Sequence, residues 1–357
     1  KVKLDPKDFI ISGKQKEVLV KEPGSIGGQQ FIVEECSDCD AYLLDHTAAL
    51  TIDVCTDCRI FAGPCESSLF IRDCKDCTVV VACQQFRARD CSNCTFFLFS
   101  ATQPVIESST NLQFACYTLD YFSLAGQFAA GHLSVWNNKW SQIFNFTGGR
   151  GDWSCLPPGS HHRDFIRRSL PDLARHRVGY TENTNGAVVP LTAGIRDLKI
   201  DEETCFVVVM PAHIDAVLGK LLATVGSPGS QSSPPPFPSR LLRTKILCPQ
   251  VAQSKPFFEG SPKEMSTLAS SAPILGLQWA GPGSTDAALA LLVAAGAATA
   301  SQAAALTAEE GAGKGKGGGL NYFMAGDSVE STLKAKTFFE QWDEDKSTSL
   351  KGGDNRG

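Results

Sequence analysis

Long apolar runs are missing from this chain. The nearest to one, AALALLVAAGAATASQAAAL at 287–306, is mostly alanine and carries Thr299, Ser301 and Gln302 in its second half. It reads as a packed helix running into a loop, not as a membrane span. A basic excess is missing too: 33 Lys and Arg stand against 38 Asp and Glu, a net charge of -5. No concentrated cationic surface, and so no nucleic-acid partner, is expected. The one basic stretch, HHRDFIRRSLPDLARHR at 161–177, is interrupted by Asp164 and Asp172 and reads as the solvated face of a linker. No secretory leader opens the chain, so the expectation is reduced thiols without disulfides. Neither GK pair in AEEGAGKGKGGG, 308–319, satisfies the phosphate-loop pattern GxxxxGK[ST], which leaves that stretch as a loop.

Cysteine, by contrast, is plentiful, with 14 in 357 residues. Eight of them form CxxC pairs: Cys36 and Cys39, Cys55 and Cys58, Cys74 and Cys77, Cys91 and Cys94. The pairs start 19, 19 and 17 residues apart, and a fixed period of this kind marks a repeat architecture. Short β-prone runs follow each pair (AYLL, RIF, TVVV, TFFLF), and others, such as FIVEE and LTIDV, precede it. Between the cysteines lies Asp38, Asp57, Asp76 or Asn93, residue types that tolerate left-handed backbone. Each CxxC therefore reads as a sharp corner between two strands, and the stack as a parallel β-helix with equivalent residues about 4.8 Å apart on successive coils. Paired zinc sites fit the same spacing. The apolar strand runs around the pairs favour cysteines that pack as small hydrophobes in the core, and no metal is assigned.

The third coil is two residues short and ends in VACQQFR, leading into ARDC. Its polar cluster Gln84, Gln85, Arg87 and Arg89 breaks the repeat. Here the residues carry a resemblance. CQQFRARDC, ATQPVIESS at 101–109, LSVWNNKWSQIFNFT at 133–147 and WSCLPP at 153–158 occur in one order, preceded by DPKDFIISG, GQQFIVEEC and LDHTAALTIDVCTDC. The chain from about Asp5 to Pro158 resembles the tubulin-binding cofactor C domain family.

That resemblance implies a right-handed parallel β-helix, all-β, and GTPase activation toward an Arf-like small GTPase in its GTP form, in ciliary or basal-body traffic. Carried over by motif position, Arg87 matches an arginine finger and Gln84 with Gln85 the glutamines beside it. Glu107 and Phe146 match positions on the partner-binding surface, and Arg89 occupies a basic position in the same strand. An arginine supplied in trans neutralises charge building on the γ-phosphate and accelerates hydrolysis by roughly 10³ to 10⁵. No cofactor of the chain's own is expected; GTP and Mg2+ come with the partner. The chain would be an enzyme activator without turnover of its own. A structural reading stands beside it, in which the same surface binds tubulin or axonemal proteins. A carbohydrate-active β-helix is set aside, because no paired carboxylates recur from coil to coil.

Expected boundaries are an N-terminal extension at 1–29, the β-helix at 30–158, a linker at 159–200, a smaller α/β domain at 201–345 and a polar tail at 346–357. In the second domain, ETCFVVVMPAHIDAVLGKLLATV and APILGLQWAGPGSTDAALALLVAA each read as strand, turn and helix, the second strand near Ile274 to Trp279. This suggests a ferredoxin-like domain, and family resemblance adds a degenerate nucleoside diphosphate kinase-like module with insertions at 226–239 and 308–319. No NxxHGSD-like segment is present, His213 sits at a helix start, and kinase activity is not expected. The chain starts at Lys1, not Met, so an acylated N-terminal piece that ties it to a membrane face is a further expectation.

Overall fold

The computed structural model describes residues 5–149, 152–157, 159–168, 188–195, 202–224, 239–259, 261–303, 321–325 and 328–342. The insertion at 308–319, nearly all of 226–239 and the tail at 346–357 lie outside these residues, as does most of the basic stretch beyond Arg168. The chain divides into two compact units, Lys1–Leu198 with Leu221–Ser232, and Lys199–Lys220 with Ser233–Gly357.

The first unit is a parallel β-solenoid. Its corners stack as successive rungs Gln15, Ser37, Thr56, Lys75, Ser92 and Thr110, one for each of six coils. Each corner uses two left-handed residues. One lies just before the second cysteine (Asp38, Asp57, Asp76, Asn93), as the sequence implied, and one just before the first (Glu35, Val54, Asp73, Asp90). Two more corners repeat this geometry without cysteine, at Gly13 and Lys16 and at Ser108 and Asn111. Segment 1–29 is thus no separate extension: β1 (Ile10–Ser12) pairs with β3 (Phe31–Glu34), and β2 (Val18–Lys21) with β4 (Asp40–Leu43).

All eight CxxC cysteines are free thiols in the buried core. Each turns its sulfur to a backbone carbonyl two residues back, as when the Cys36 thiol donates to the Glu34 carbonyl at 3.2 Å and the Cys39 thiol to Ser37 at 3.4 Å. Burial raises the Cys39 and Cys83 thiols above the ordinary cysteine range. The CxxC cysteines thus act as small apolar fillers of a narrow core.

Two long strands, β6 (Arg59–Arg72) and β7 (Thr78–Arg89), bend around a corner, so that each serves two sheet faces. The missing two residues of the third coil are accounted for here. The β6–β7 register shifts between Phe61 and Pro64 and again between Cys65 and Ser68, where β7 advances one residue less each time.

One face, made by β2, β4, the first halves of β6 and β7, β8 (Thr95–Ser100) and β10 (Leu112–Cys116), points Tyr42, Phe61, Val80, Phe97 and Ala115 outward in a column. That column is buried under Leu124, Phe128, Phe165, Ile166, Val188 and Val189. Over its described residues, 159–168 and 188–195, the roof corrects the expectation of a solvated linker at 159–200. His162 is fully buried and bonds to the Thr118 hydroxyl at 2.9 Å. Arg168 donates to Asp38 at 2.7 Å and to Asp40 at 3.0 Å, and Arg167 to Asp57 at 2.8 Å. The basic residues close onto the acidic corners of the coils, which sequence inspection of either segment alone does not reveal.

The second unit holds an antiparallel sheet in the order β14–β15–β13–β16: Arg240–Leu247, Ile274–Ala280, Thr204–Val209 and Tyr322–Met324. The two strand-helix units appear as expected, with helices Ile214–Thr224 and Ser284–Ala294. The apolar stretch at 287–306 is broken by Gly296 at φ +70°, and among the described residues no helix is long and apolar enough to cross a membrane.

Candidate functional site

The other face of the solenoid is formed by β1, β3, β5 (Leu50–Asp53), the second halves of β6 and β7, β9 (Val105–Glu107) and β11 (Phe144–Asn145). Alternation along β7 turns Phe86 and Ala88 into the core, at 0% and 2% exposure, and leaves Gln85, Arg87 and Arg89 facing solvent. Gln84, at the bend of β7, is exposed as well. Its backbone is pinned, because the Gln84 carbonyl accepts both the Thr102 amide and the Thr102 hydroxyl at 3.0 Å.

Pairing builds the site across coils. Arg87 lies opposite Phe70 on β6 and Val105 on β9, and Val105 lies opposite Phe144 on β11. In the neighbouring row Arg89 stands between Arg72 and Glu107. Phe146 follows directly, its amide donating to the Ile106 carbonyl at 2.8 Å; its ring is 69% exposed and meets Phe144 edge-on, centroids 6.4 Å apart. Five of the six predicted site residues, Gln85, Arg87, Arg89, Glu107 and Phe146, thus share one face of adjacent rungs, and Gln84 flanks them at the bend.

Charge pairing separates the arginines. Arg72 is held by a two-pronged contact with Asp53, and Arg89 by Asp90 at 3.0 Å. Among the described residues the Arg87 guanidinium meets no carboxylate and no hydrogen-bond acceptor, and the side chains of Gln84 and Gln85 are likewise unengaged. A planar five-donor group held on a paired strand, with nothing of its own chain to bond, is suited to an anion brought from outside. Two ring-bearing positions, Phe70 and Phe144, were not foreseen from the sequence. A β-run signals apolar content but not which face stays uncovered.

No group of three or more His, Cys, Asp or Glu side chains among the described residues is arranged to hold a metal. In the second unit His213 ends a short 3-10 turn, Pro211–His213, just before a helix. The GPGS turn presents a helix N-terminus, but its donors are taken. The Glu203 carboxylate accepts the Gly283 amide at 3.1 Å and the Ser284 hydroxyl at 3.0 Å.

Comparison with known proteins gives three kinds of likeness. The family model described as tubulin binding cofactor C matches residues 28–146. Protein XRP2 of Xenopus laevis is 40% identical over 296 residues, covering 80% of this chain and 78% of that one. Protein XRP2 of Homo sapiens is 39% identical over 288 residues, covering 80% and 79%. The tubulin-specific chaperone C of Homo sapiens is 28% identical over 151 residues, 41% of this chain and 44% of that one. Among solved structures, tubulin binding cofactor C from Leishmania major aligns with 22% identity and a TM-score of 0.31, over 34% of this chain and 85% of that one.

Proposed function

Because the chain belongs to the XRP2, or retinitis pigmentosa 2 protein, family, we propose that it activates GTP hydrolysis by an Arf-like small GTPase, with Arg87 supplied in trans. The observation that carries the reading is the unpaired Arg87 guanidinium, exposed on a strand hydrogen-bonded on both sides. In hydrolysis, negative charge grows on the γ-phosphate and bridging oxygens, and a guanidinium aimed at them stabilises that charge. Because β7 is fixed between β6 and β9, Arg87 loses little backbone freedom on docking, so more of the contact energy acts in the transition state. Gln84 and Gln85, exposed beside Arg87, orient the finger or help place the partner's own catalytic glutamine. Glu107 and Phe146 serve as partner contacts, and Arg89, tied to Asp90, shapes the charge beside them.

The chain itself turns nothing over and needs no cofactor beyond the GTP and Mg2+ of its partner. Work at a cilium, a basal body or a membrane face belongs to the same proposal. So do right-handed winding of the solenoid and a ferredoxin-like, degenerate kinase-like class for the second unit. The strand order β14–β15–β13–β16, with one helix after β13 and one after β15, supports that class. The match to the tubulin binding cofactor C model favours a second reading, tubulin or an axonemal assembly as partner.

Capture on immobilised GTPases separates the two. Selective retention by the GTP-locked form of an Arf-like GTPase is expected. Equal retention by GTP- and GDP-locked forms, together with co-sedimentation on microtubules, would favour the tubulin reading.

A further inference from the structure

The two sheet faces of the solenoid are built alike and treated differently. Both carry an outward column that is mostly apolar, one residue from each paired strand. On the first face that column is Tyr42, Phe61, Val80 and Phe97, and it is roofed and buried. On the second face the column runs Ile10, Ile32, Thr51, Phe70, Arg87, Val105 and Phe144. Ile32, Phe70, Val105 and Phe144 belong to neither buried cluster of the solenoid, and the Arg72 guanidinium lies over the Phe70 ring at 5.9 Å from its centroid. Phe144 is 48% exposed, Phe146 69% and Ile10 37%. Seven rungs at about 4.8 Å give a stripe roughly 29 Å long, a length suited to a standard protein interface.

The charges on this face say what it would receive. Arg72 and Arg89 are neutralised by Asp53 and Asp90, so they offer a partner little net charge. Arg87, near the middle of the apolar column, is not neutralised by any described residue. Glu107, opposite Arg89 in the next row, makes no ion pair among the described residues. An apolar strip with one unmatched cation near its centre and one unmatched carboxylate beside it fits a partner whose apolar surface surrounds an anion. The nucleotide-bearing side of a GTPase, with its phosphates ringed by protein, has that chemistry. Solvent excluded by the flanking rings would also strengthen the guanidinium–phosphate contact, since the local dielectric falls.

We propose that Phe70 and Phe144, on the two sides of Arg87, are docking anchors that seat the GTP-loaded partner along this bare face and so fix KM, while Arg87 fixes kcat. The inference rests on the reading of Arg87 as an arginine finger. It adds that affinity is carried by the apolar column and not by the finger, and that the coil of β6, through Phe70, is part of the contact.

Steady-state hydrolysis by an Arf-like GTPase that the unaltered protein stimulates, read with increasing amounts of the full chain, tests it. Phe144→Ala and Phe70→Ala should each raise KM about 10-fold with kcat within twofold, the range expected of a central aromatic anchor. Arg87→Ala should do the reverse. Phe122→Ala, at a ring 90% exposed but outside this face, should change neither. Thermal melting of Phe70→Ala guards against misfolding, and Phe144→Ala gives an independent answer from a more exposed position. Unaltered KM in both Phe variants, while Arg87→Ala loses kcat, would overturn the docking face and leave the finger standing. No stimulation of any Arf-like GTPase by the unaltered chain would remove the reading underneath.

Discussion

At the scale of single residues, the chain shows where backbone chemistry leads and where it is overridden. Asp38, Asp57, Asp76 and Asn93 are residue types suited to the left-handed region and are found there, with φ between 52° and 55°. Val54 is not suited; it takes φ 51° because the corner demands it, and its side chain is 53% exposed and gains little by packing. A β-branched residue in this region is strained by about 1–2 kcal/mol. Val54→Gly should therefore raise stability by about 1 kcal/mol in chemical denaturation, whereas a loss would mean that the Val54 side chain makes a contact worth more than the strain. Inside the solenoid, Cys55 is fully buried. Cys55→Ser places a stronger hydrogen-bonding group among apolar neighbours and should cost about 1–3 kcal/mol.

His161 and His162 add a pH dependence. Burial pushes His161 down to about 4 and holds His162 well below the usual histidine range. Both are neutral in the fold and free to take a proton when unfolded. Their contribution is complete above about pH 6.5 and is lost as pH falls below it, at up to about 1.4 kcal/mol per pH unit for each histidine. Urea midpoints for the unaltered protein and for His162→Gln should diverge at pH 7 and converge toward pH 5. Parallel curves would show that His162 binds its proton equally well in the folded and unfolded states, contradicting the downward shift.

At the scale of elements, the roof is the part that sequence inspection hid. The coils with cysteine were legible because Cys and Asp recur at fixed offsets. The coils at Gly13 and Ser108 were not, because Lys14 and Glu17, and Ser109 and Leu112, stand where the cysteines would be. Segment 161–168 looked solvated because its charges were weighed without their partners. Those partners are Asp38, Asp40 and Asp57, on two successive corners far back in the sequence. The Arg168 guanidinium holds the Asp38 carboxyl below the usual range. Asp40 has no exposed surface, and there burial outweighs the same guanidinium and raises the carboxyl. Removing the arginine alone strands a buried carboxylate. Arg168→Ala should lower the melting temperature, and the double change Arg168→Ala with Asp40→Asn should recover part of the loss. Additive losses would mean that the two residues are not coupled.

At the scale of the whole molecule, the cofactor C match ends at residue 146, but the first compact unit continues to Leu198. β12 (Trp153–Cys155) pairs with β10, and the Trp140 indole donates to the Thr192 hydroxyl at 2.9 Å, so the later residues complete the core. A chain ending at residue 198 should melt cooperatively, whereas one ending at residue 158 should melt lower and over a broader range. Equal melting would show that the roof adds nothing. The candidate site was legible through motif: QQFRAR marked Arg87, and the short third coil marked its corner. Its freedom from carboxylates was not, because Asp90 is closer in sequence to Arg87 than Asp53 is to Arg72, yet Asp90 bonds Arg89. Arg87 and Arg89 share one face of β7, and it is Arg89, next to Asp90, that takes the carboxylate and leaves Arg87 unpaired among the described residues.

The central claim is that this unpaired guanidinium acts on a partner's phosphates. Single-turnover GTP hydrolysis by an Arf-like GTPase, with and without the full chain, measures it most directly. Stimulation by the unaltered protein should fall roughly 10³-fold or more in Arg87→Ala, and Arg87→Lys should not restore it, because an ammonium cannot bond two oxygens in one plane. Stimulation that survives unchanged in Arg87→Ala would contradict the account.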